Sequence, residues 1–190
     1  MLFYAGIGSR STPPDVLEEM KIFARSLAVI GHWTLRSGGA AGADSAFESG
    51  VLDSSRSYLR EIYVPSPTWR GRKSKEGLVS AFSTEEAEQV MERFHPSAHH
   101  LTGFVRLLMA RNSHQILGPY PVSAPSPVRM VVCWTKDGAE KAGEITIDTG
   151  GTGQALRIAC AYNIPVFNLK NEDAFDRIWA VWNVLNSEVR

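Results

Sequence analysis

The sequence predicts an α/β fold of the Rossmann-like type, a three-layer sandwich built on a mostly parallel sheet. Short, continuous apolar runs, which suit strands buried on both faces, alternate along the chain with segments of helical periodicity. Right-handed crossovers between successive strands favour the strand order 3-2-1-4-5. With 190 residues, of which 44% are hydrophobic and 21% charged, the chain fits one globular domain over residues 1–190.

The first half of the chain predicts three strands and two helices. The apolar run at residues 2–8 ends in glycine and precedes Pro13-Pro14, which indicates a buried strand, a turn and a helix start. Apolar residues then recur at helical spacing over residues 15–30, where Gly31 ends the pattern. The next predicted elements are a strand at residues 33–36, a helix at residues 43–49 closed by Gly50, and a strand at residues 61–64.

The second half is less regular before it returns to the same alternation. Its middle predicts helices at residues 84–94 and 101–117, the second with Phe104, Val105 and Leu108 on its apolar face. A surface connection with four prolines follows at residues 118–127. The remaining predicted elements are a strand at residues 128–134, a hairpin or loop edge at residues 144–149, a helix to about Tyr162, a strand at residues 165–169, and a helix that carries Phe175, Ile178, Trp179, Trp182 and Leu185.

Charge and cysteine usage narrow the functional classes. The 20 Lys and Arg residues balance 20 Asp and Glu residues, so no global field draws the protein to nucleic acid or membranes, and anion binding must be local. Cys133 and Cys160 lie in apolar runs, which suits buried free thiols in a reducing compartment. No apolar run approaches the ~18 residues of a membrane helix, and residues 2–7 are too few for a signal-peptide core. We therefore expect a cytoplasmic protein without a membrane partner.

Neither a metal site nor a cofactor is expected. His95, His99 and His100 lie near one another, but Pro96 interrupts any helix that would present them together, and no cysteine or carboxylate completes a ligand set. The basic stretch at residues 69–75 combines charge with a tryptophan, a composition that suits single-stranded nucleic acid. Because the net charge is zero, we interpret this stretch as a solvated loop.

Two glycine-rich loops each open a predicted helix. The first glycine loop is Ser37-Gly-Gly-Ala-Ala-Gly-Ala-Asp44, and the second glycine loop is Thr149-Gly-Gly-Thr-Gly-Gln154. Glycines let backbone N–H groups approach an anion, and a helix N-terminus favours negative charge. The first glycine loop has neither the dinucleotide fingerprint nor the lysine of a Walker loop, which disfavours a dehydrogenase or a kinase. The alternative interpretation is that the glycines only permit tight turns.

Three further residues are candidates for the same sheet edge. Arg10 follows the first strand and has the geometry to pair with a phosphate, or it is a surface arginine. Arg111, on the polar side of its helix, is a second phosphate ligand or a salt-bridge partner. Trp134, at the end of the fourth strand, is a platform for a base or a packing residue. The full set of predicted ligand-binding residues is Gly8, Ser9, Arg10, Ser37, Gly38, Gly39, Gly42, Ala43, Asp44, Arg111, Asn112, Trp134, Gly150, Gly151, Thr152, Gly153 and Gln154.

These motifs resemble a known superfamily. The combination of Gly6-Ile-Gly-Ser-Arg10, the first glycine loop and Gly150-Gly-Thr152 resembles SLOG, which joins the DNA-processing protein DprA (Smf) with the LOG phosphoribohydrolases. The sequence is most similar to small DprA-like proteins of phages and bacteria, whose pattern also includes Arg111-Asn112 and Pro165-Val-Phe-Asn168. The resemblance spans about 170 residues, judged on motif order and spacing, and implies a Rossmann-like nucleotide-binding domain.

Two departures from the family pattern bear on function. DprA proteins usually have an arginine where Ala41 lies, so binding of a DNA strand is not favoured. LOG hydrolases have a glutamate in the second loop where this sequence has Arg157, and cleavage of an N-glycosidic bond needs a carboxylate. Asp44, Glu48 and Asp148 are the remaining catalytic candidates, and whether the protein is an enzyme stays open at this point.

The leading hypothesis is therefore a protein that binds a nucleotide or nucleotide-derived small molecule between the two glycine loops. One alternative is a LOG-like nucleoside monophosphate phosphoribohydrolase. The other is a DprA-like mediator that binds single-stranded DNA, which would need self-association, as in a homodimer, to build a basic track.

Overall fold

The computed structural model describes residues 1–66, Trp69 and residues 85–187. Within them the strands form one sheet, parallel throughout, in the order β3-β2-β1-β4-β5, which confirms the predicted α/β topology. Four of the five strands are shorter than the apolar runs that predict them, and the second has the same length as its run. They are β1 (Phe3–Gly8), β2 (Thr34–Ser37), β3 (Arg60–Ile62), β4 (Val131–Trp134) and β5 (Val166–Asn168).

Helices cover both faces of the sheet, as the three-layer prediction requires. They are α1 (Pro14–Ser26), α2 (Ala43–Leu52), α3 (Glu85–Phe94), α4 (Gly103–Leu117), α5 (Thr152–Ala161) and α6 (Ala174–Ser187). Alternate strand residues face opposite layers: Tyr4 and Val132 pack with α1, α2 and α6, whereas Ala5 and Val131 pack with α3, α4 and α5. Two apolar cores thus hold the sheet between two helical layers.

Several helix boundaries differ from the prediction, most clearly the ends of the first two helices. After α1 the chain continues as a π-helical turn, Leu27–Gly31, which ends at His32 in a left-handed conformation (φ 56°). The prediction that Gly50 closes the second helix is wrong, since α2 runs on to Leu52. A Cβ at Gly50 would lie 2.1 Å from the Lys21 backbone oxygen, so this glycine lets α2 approach α1 closely.

The remaining sequence expectations concern cysteines, membranes and the basic stretch. Cys133 is buried and Cys160 half-buried, and neither is in a disulfide. No helix in the described part of the chain is long and apolar enough to cross a bilayer. Residues 70–75 of the basic stretch lie outside the described residues, and Trp69 lies within them.

Candidate functional site

A cavity of about 750 Å³ opens at the carboxyl ends of the central strands. The strand order reverses between β1 and β4, and open α/β sheets bind their ligands at this point. The cavity wall is formed by the turn after β1, the first glycine loop, one face of α4 and the second glycine loop. Its volume lies within the range of small-molecule sites, roughly 300–1,000 Å³.

The first glycine loop surrounds a carboxylate of its own. Asp44, the second residue of α2, is 4% exposed, and its Oδ2 accepts a hydrogen bond of 3.2 Å from the Ala40 N–H. Burial raises the pKa of Asp44, although the Arg111 guanidinium and the N–H groups of Ala40, Gly8 and Gly38 act in the opposite direction. The anion at this helix N-terminus is therefore the protein's own side chain.

Other donors of the first glycine loop are also bonded within the protein. The Ala43 N–H donates to the Ser9 carbonyl at 3.2 Å, and the Ser37 hydroxyl donates to the Gly6 carbonyl at 2.6 Å. With the Gln115 amide oriented to satisfy its neighbours, the Gly38 N–H donates to its oxygen at 2.9 Å. These contacts fasten the loop to β1 and α4.

Arg111 projects from α4 to the base of the cavity and is 6% exposed. Its Nη1 lies 3.7 Å from the Asp44 Oδ2 and 3.0 Å from the Gln115 oxygen. A Cβ at Gly38 would lie only 1.1 Å from this Nη1, so the glycine leaves the space for the guanidinium. The Arg111 Nε has no hydrogen-bond partner among the described residues. Burial lowers the pKa of Arg111 while Asp44 raises it, and the two form a buried ion pair.

The second glycine loop presents free donors. Its Gly150 and Gly153 N–H groups donate to the carbonyls of Ile147 and Gly150, each at 3.1 Å. Within the described ranges, the N–H groups of Gly151 and Thr152 have no hydrogen-bond partner. Both residues line the cavity at the N-terminus of α5. Among the residues that the structure describes, no carboxylate caps these two donors.

The second glycine loop is held from behind by Asp137, which the sequence analysis missed. The hydroxyls of Thr149, Thr146 and Thr135 all donate to its carboxylate, the last two at 2.7 and 2.8 Å. Burial alone would raise the pKa of Asp137, but these hydrogen bonds outweigh it and hold the pKa well below its usual range. The only sequence signal was three threonines within twelve residues of Asp137. No strand forms at residues 144–149, which is a loop after a short 3₁₀ turn, Ala142–Glu144.

Asn112 connects the second glycine loop to α4. Its Nδ2 donates to the Gly151 carbonyl at 3.1 Å, and the neighbouring Met109 methyl would lie 3.2 Å from a Cβ at Gly151. The helix therefore contacts both loops, through Arg111 on one side and Asn112 on the other.

The described aromatic residues that line the cavity are Trp69 and Phe104, and not the predicted Trp134. Trp69 and Phe104 stack with ring centroids 5.2 Å apart and planes at 27°, and both line the cavity. Trp134 instead is 6% exposed and packs in the core between the sheet and α1 and α2. Phe104 and Val105, predicted on the apolar face of their helix, are 46% and 52% exposed at the cavity instead of buried.

The structure brings about half of the predicted residues to the cavity. Those that line it are Gly8, Ser9, Arg10, Asp44, Arg111, Asn112, Asp148, Gly150, Gly151 and Thr152. Behind the lining lie Ser37, Gly38, Gly39, Gly42, Ala43, Trp134, Gly153 and Gln154. Gly42 has a positive φ of 81°, and a Cβ there would lie 2.5 Å from the Ser9 carbonyl oxygen, so its role is steric.

The carboxylates predicted as catalytic candidates also differ in whether they line the cavity. Glu48 is buried 3.9 Å from the Arg60 Nε and lies behind the cavity lining. Arg157, at the position where the family resemblance implies a glutamate, also lies outside the lining. Asp148 is exposed at the cavity, 3.6 Å from Lys136. Among the residues that the structure describes, no group of three or more His, Cys, Asp or Glu side chains is arranged to hold a metal ion.

Comparisons with known proteins add information on the fold. No protein-family model matches the sequence, and no curated protein matches it significantly. A solved structure of DNA processing protein A from Helicobacter pylori, described for its single-stranded DNA binding mode, matches with a TM-score of 0.53. The two chains are 16% identical, and the match covers 99% of this chain and 80% of the other. At this identity the likeness shows that the two proteins share an α/β fold.

Proposed function

We propose that the protein binds a nucleotide or nucleotide-derived ligand in the cavity, with a phosphate on the second glycine loop. The observation that carries this proposal is the pair of unpartnered N–H groups, Gly151 and Thr152, at the N-terminus of α5 beside a cavity of about 750 Å³. The aligned peptide dipoles of a helix give its N-terminus about half a positive charge. Two backbone donors at such an end suit a phosphate group.

The floor of the cavity suits the sugar of the same ligand. Asp44 and Arg111 compensate each other's charge, so the floor offers an acceptor and a donor without a net charge. A carboxylate at this place repels a phosphate and accepts a hydrogen bond from a sugar hydroxyl. The ligand therefore extends from the second glycine loop across the ion pair.

Arg10 adds the positive charge that the floor lacks. It follows β1, is exposed, and lines the cavity. A guanidinium at this position pairs with a phosphate oxygen in a charge-assisted hydrogen bond. In this proposal Arg10 steers the anion toward the second glycine loop, and its contribution weakens as salt is added.

Isothermal titration with a panel of nucleoside monophosphates and ribose 5-phosphate tests the proposal. We expect at least one of them to bind at micromolar affinity, equivalent to about 8 kcal/mol. The same mixtures are analysed for free base, whose release would assign the hydrolase alternative. A folded protein that binds none of the panel would overturn the proposal.

The likeness in fold to DNA processing protein A favours a second candidate, the binding of single-stranded DNA. A labelled oligonucleotide distinguishes it from the first. DNA binding predicts a rise in fluorescence anisotropy that falls steeply with salt, because phosphate contacts release counterions. A protein that binds mononucleotides but causes no anisotropy change even at low salt would exclude DNA binding and support the small-molecule function.

A further inference from the structure

The stacked pair of Trp69 and Phe104 has no role in holding the phosphate or the sugar. Phe104 lies in the first turn of α4, is 46% exposed and lines the cavity. Leaving a large aromatic surface in water has a free-energy cost of about 25 cal/mol per Å² of apolar area. A ring that contacts a ligand there recovers this cost on binding.

The pair is fixed in position from the side of the first glycine loop. The Trp69 Nε1–H donates to the Gly39 carbonyl at 3.3 Å, and the Trp69 ring supports one side of Phe104. A hydrogen bond and a ring contact thus hold the pair, and binding to it requires less ordering of side chains than binding to an unsupported ring.

The distance between this pair and the second glycine loop fits one nucleotide. Phe104 and Asn112 are eight residues apart on α4, which corresponds to about 12 Å along the helix axis. Asn112 is bonded to Gly151, where the proposed phosphate binds. Arg111, one residue before Asn112 on α4, and Asp44 line the same cavity and supply the proposed sugar contacts.

We infer that Trp69 and Phe104 form a stacking platform for the base of the ligand, and that the site prefers purine over pyrimidine nucleotides. This inference rests on the nucleotide site proposed above. Stacking on an aromatic ring depends on the overlapping area, so a two-ring base gains more than a one-ring base. Val105 and Leu108 add apolar surface on the same face of α4.

The test compares adenosine monophosphate with ribose 5-phosphate, which lacks the base, in calorimetric titrations of the wild type and Phe104→Leu. We expect the substitution to lower the affinity for the nucleotide about 5- to 100-fold and to leave ribose 5-phosphate binding unchanged. Phe104→Tyr, which keeps the ring, is the matched control and retains nucleotide binding. We also expect the wild type to bind uridine monophosphate more weakly than adenosine monophosphate.

The possible outcomes separate the platform from the phosphate site. A wild type that binds adenosine monophosphate and ribose 5-phosphate equally overturns the platform and leaves the phosphate site supported. An unchanged nucleotide affinity in Phe104→Leu, or an equal loss for both compounds, also overturns the platform. A wild type that binds neither compound overturns both proposals. Quenching of tryptophan fluorescence by the nucleotide, lost in Trp69→Phe, is an independent supporting result.

Discussion

The two glycine loops have similar sequences but differ in charge. A carboxylate of the protein lies at the helix N-terminus of the first, and among the described residues none caps that of the second. Each precedes a ten-residue helix at the same edge of the sheet. In the first, the second helical residue is Asp44, which folds back over the loop and pairs with Arg111. In the second, the corresponding residue is Gly153, and the N–H groups before it have no partner in the described part of the chain. A side chain of the protein thus occupies the anion position of the first loop, and we propose that an external phosphate occupies that of the second.

The carboxylates that belong to the two loops also differ in where they lie. Asp44 is inside the first loop and lines the cavity. Asp137 is outside the second loop, where it binds threonine hydroxyls and leaves the backbone donors free. The first loop is therefore a structural element that contributes polar groups to the floor, and the second is the candidate anion site.

The largest expected effect is on the stability of the first loop. Asp44→Asn leaves the buried Arg111 guanidinium without a compensating charge, which should lower the free energy of unfolding by about 3–5 kcal/mol. Urea denaturation followed by circular dichroism measures this change. The double variant Asp44→Asn with Arg111→Met removes both charges and should recover much of the loss. Equal stabilities of the wild type and Asp44→Asn would show that the ion pair is not needed.

A smaller effect on stability is expected from substitution of Asp137, which holds the second glycine loop from behind. Asp137→Asn weakens the hydrogen bonds from Thr149 and Thr146 and should lower stability by about 1 kcal/mol, after screening by solvent. Ligand affinity should fall as well, because the loop loses its fixed position. Asp53→Asn, at an exposed aspartate paired with Lys21, is the control.

The Asp137 effect should also depend on pH. Its pKa is lowered in the folded state, so its contribution to stability is present above the usual carboxyl pKa of about 4 and is lost as the pH falls below it. The stability difference between the wild type and Asp137→Asn should therefore shrink in acid. A difference that stays constant between pH 7 and pH 2 would contradict the assigned hydrogen bonds.

The smallest expected effect concerns Arg10 at the mouth of the cavity. Arg10→Ala should weaken phosphate-ligand binding about fivefold at low salt, and the loss should diminish at high salt because exposed charges are screened. Arg25→Ala, an exposed arginine on α1, is the matched control and should bind like the wild type. Identical losses in both variants would assign the effect to net charge alone.

Much of the fold and the location of the site could be predicted from the sequence. Buried parallel strands leave continuous apolar runs, and handedness rules then restrict the strand order, so β1 and β4 were placed correctly beside each other. Glycine-rich turns at helix starts predict the edge of the sheet at which the cavity opens. These signals are local and need no knowledge of distant contacts.

Which residues line the cavity, and how they pair, depends on tertiary contacts that the sequence pattern does not predict. The pairing of Asp44 with Arg111 joins residues on different helices, and only the fold shows that the first loop is occupied. The apolar face of α4 predicts burial, but a cavity replaces the core at Phe104. Trp134 follows the alternation of β4 into the opposite layer, away from the cavity.

A carboxylate introduced into the second glycine loop tests the proposed phosphate site most directly. Thr152→Asp places a negative charge at the N-terminus of α5, where it favours the helix and repels a phosphate. Thr152→Asn has nearly the same shape without the charge. In titrations with ribose 5-phosphate, we predict that Thr152→Asp binds at least about tenfold more weakly than Thr152→Asn, with no loss of thermal stability. Equal affinities of the two variants, both folded, would contradict a phosphate site on the second glycine loop.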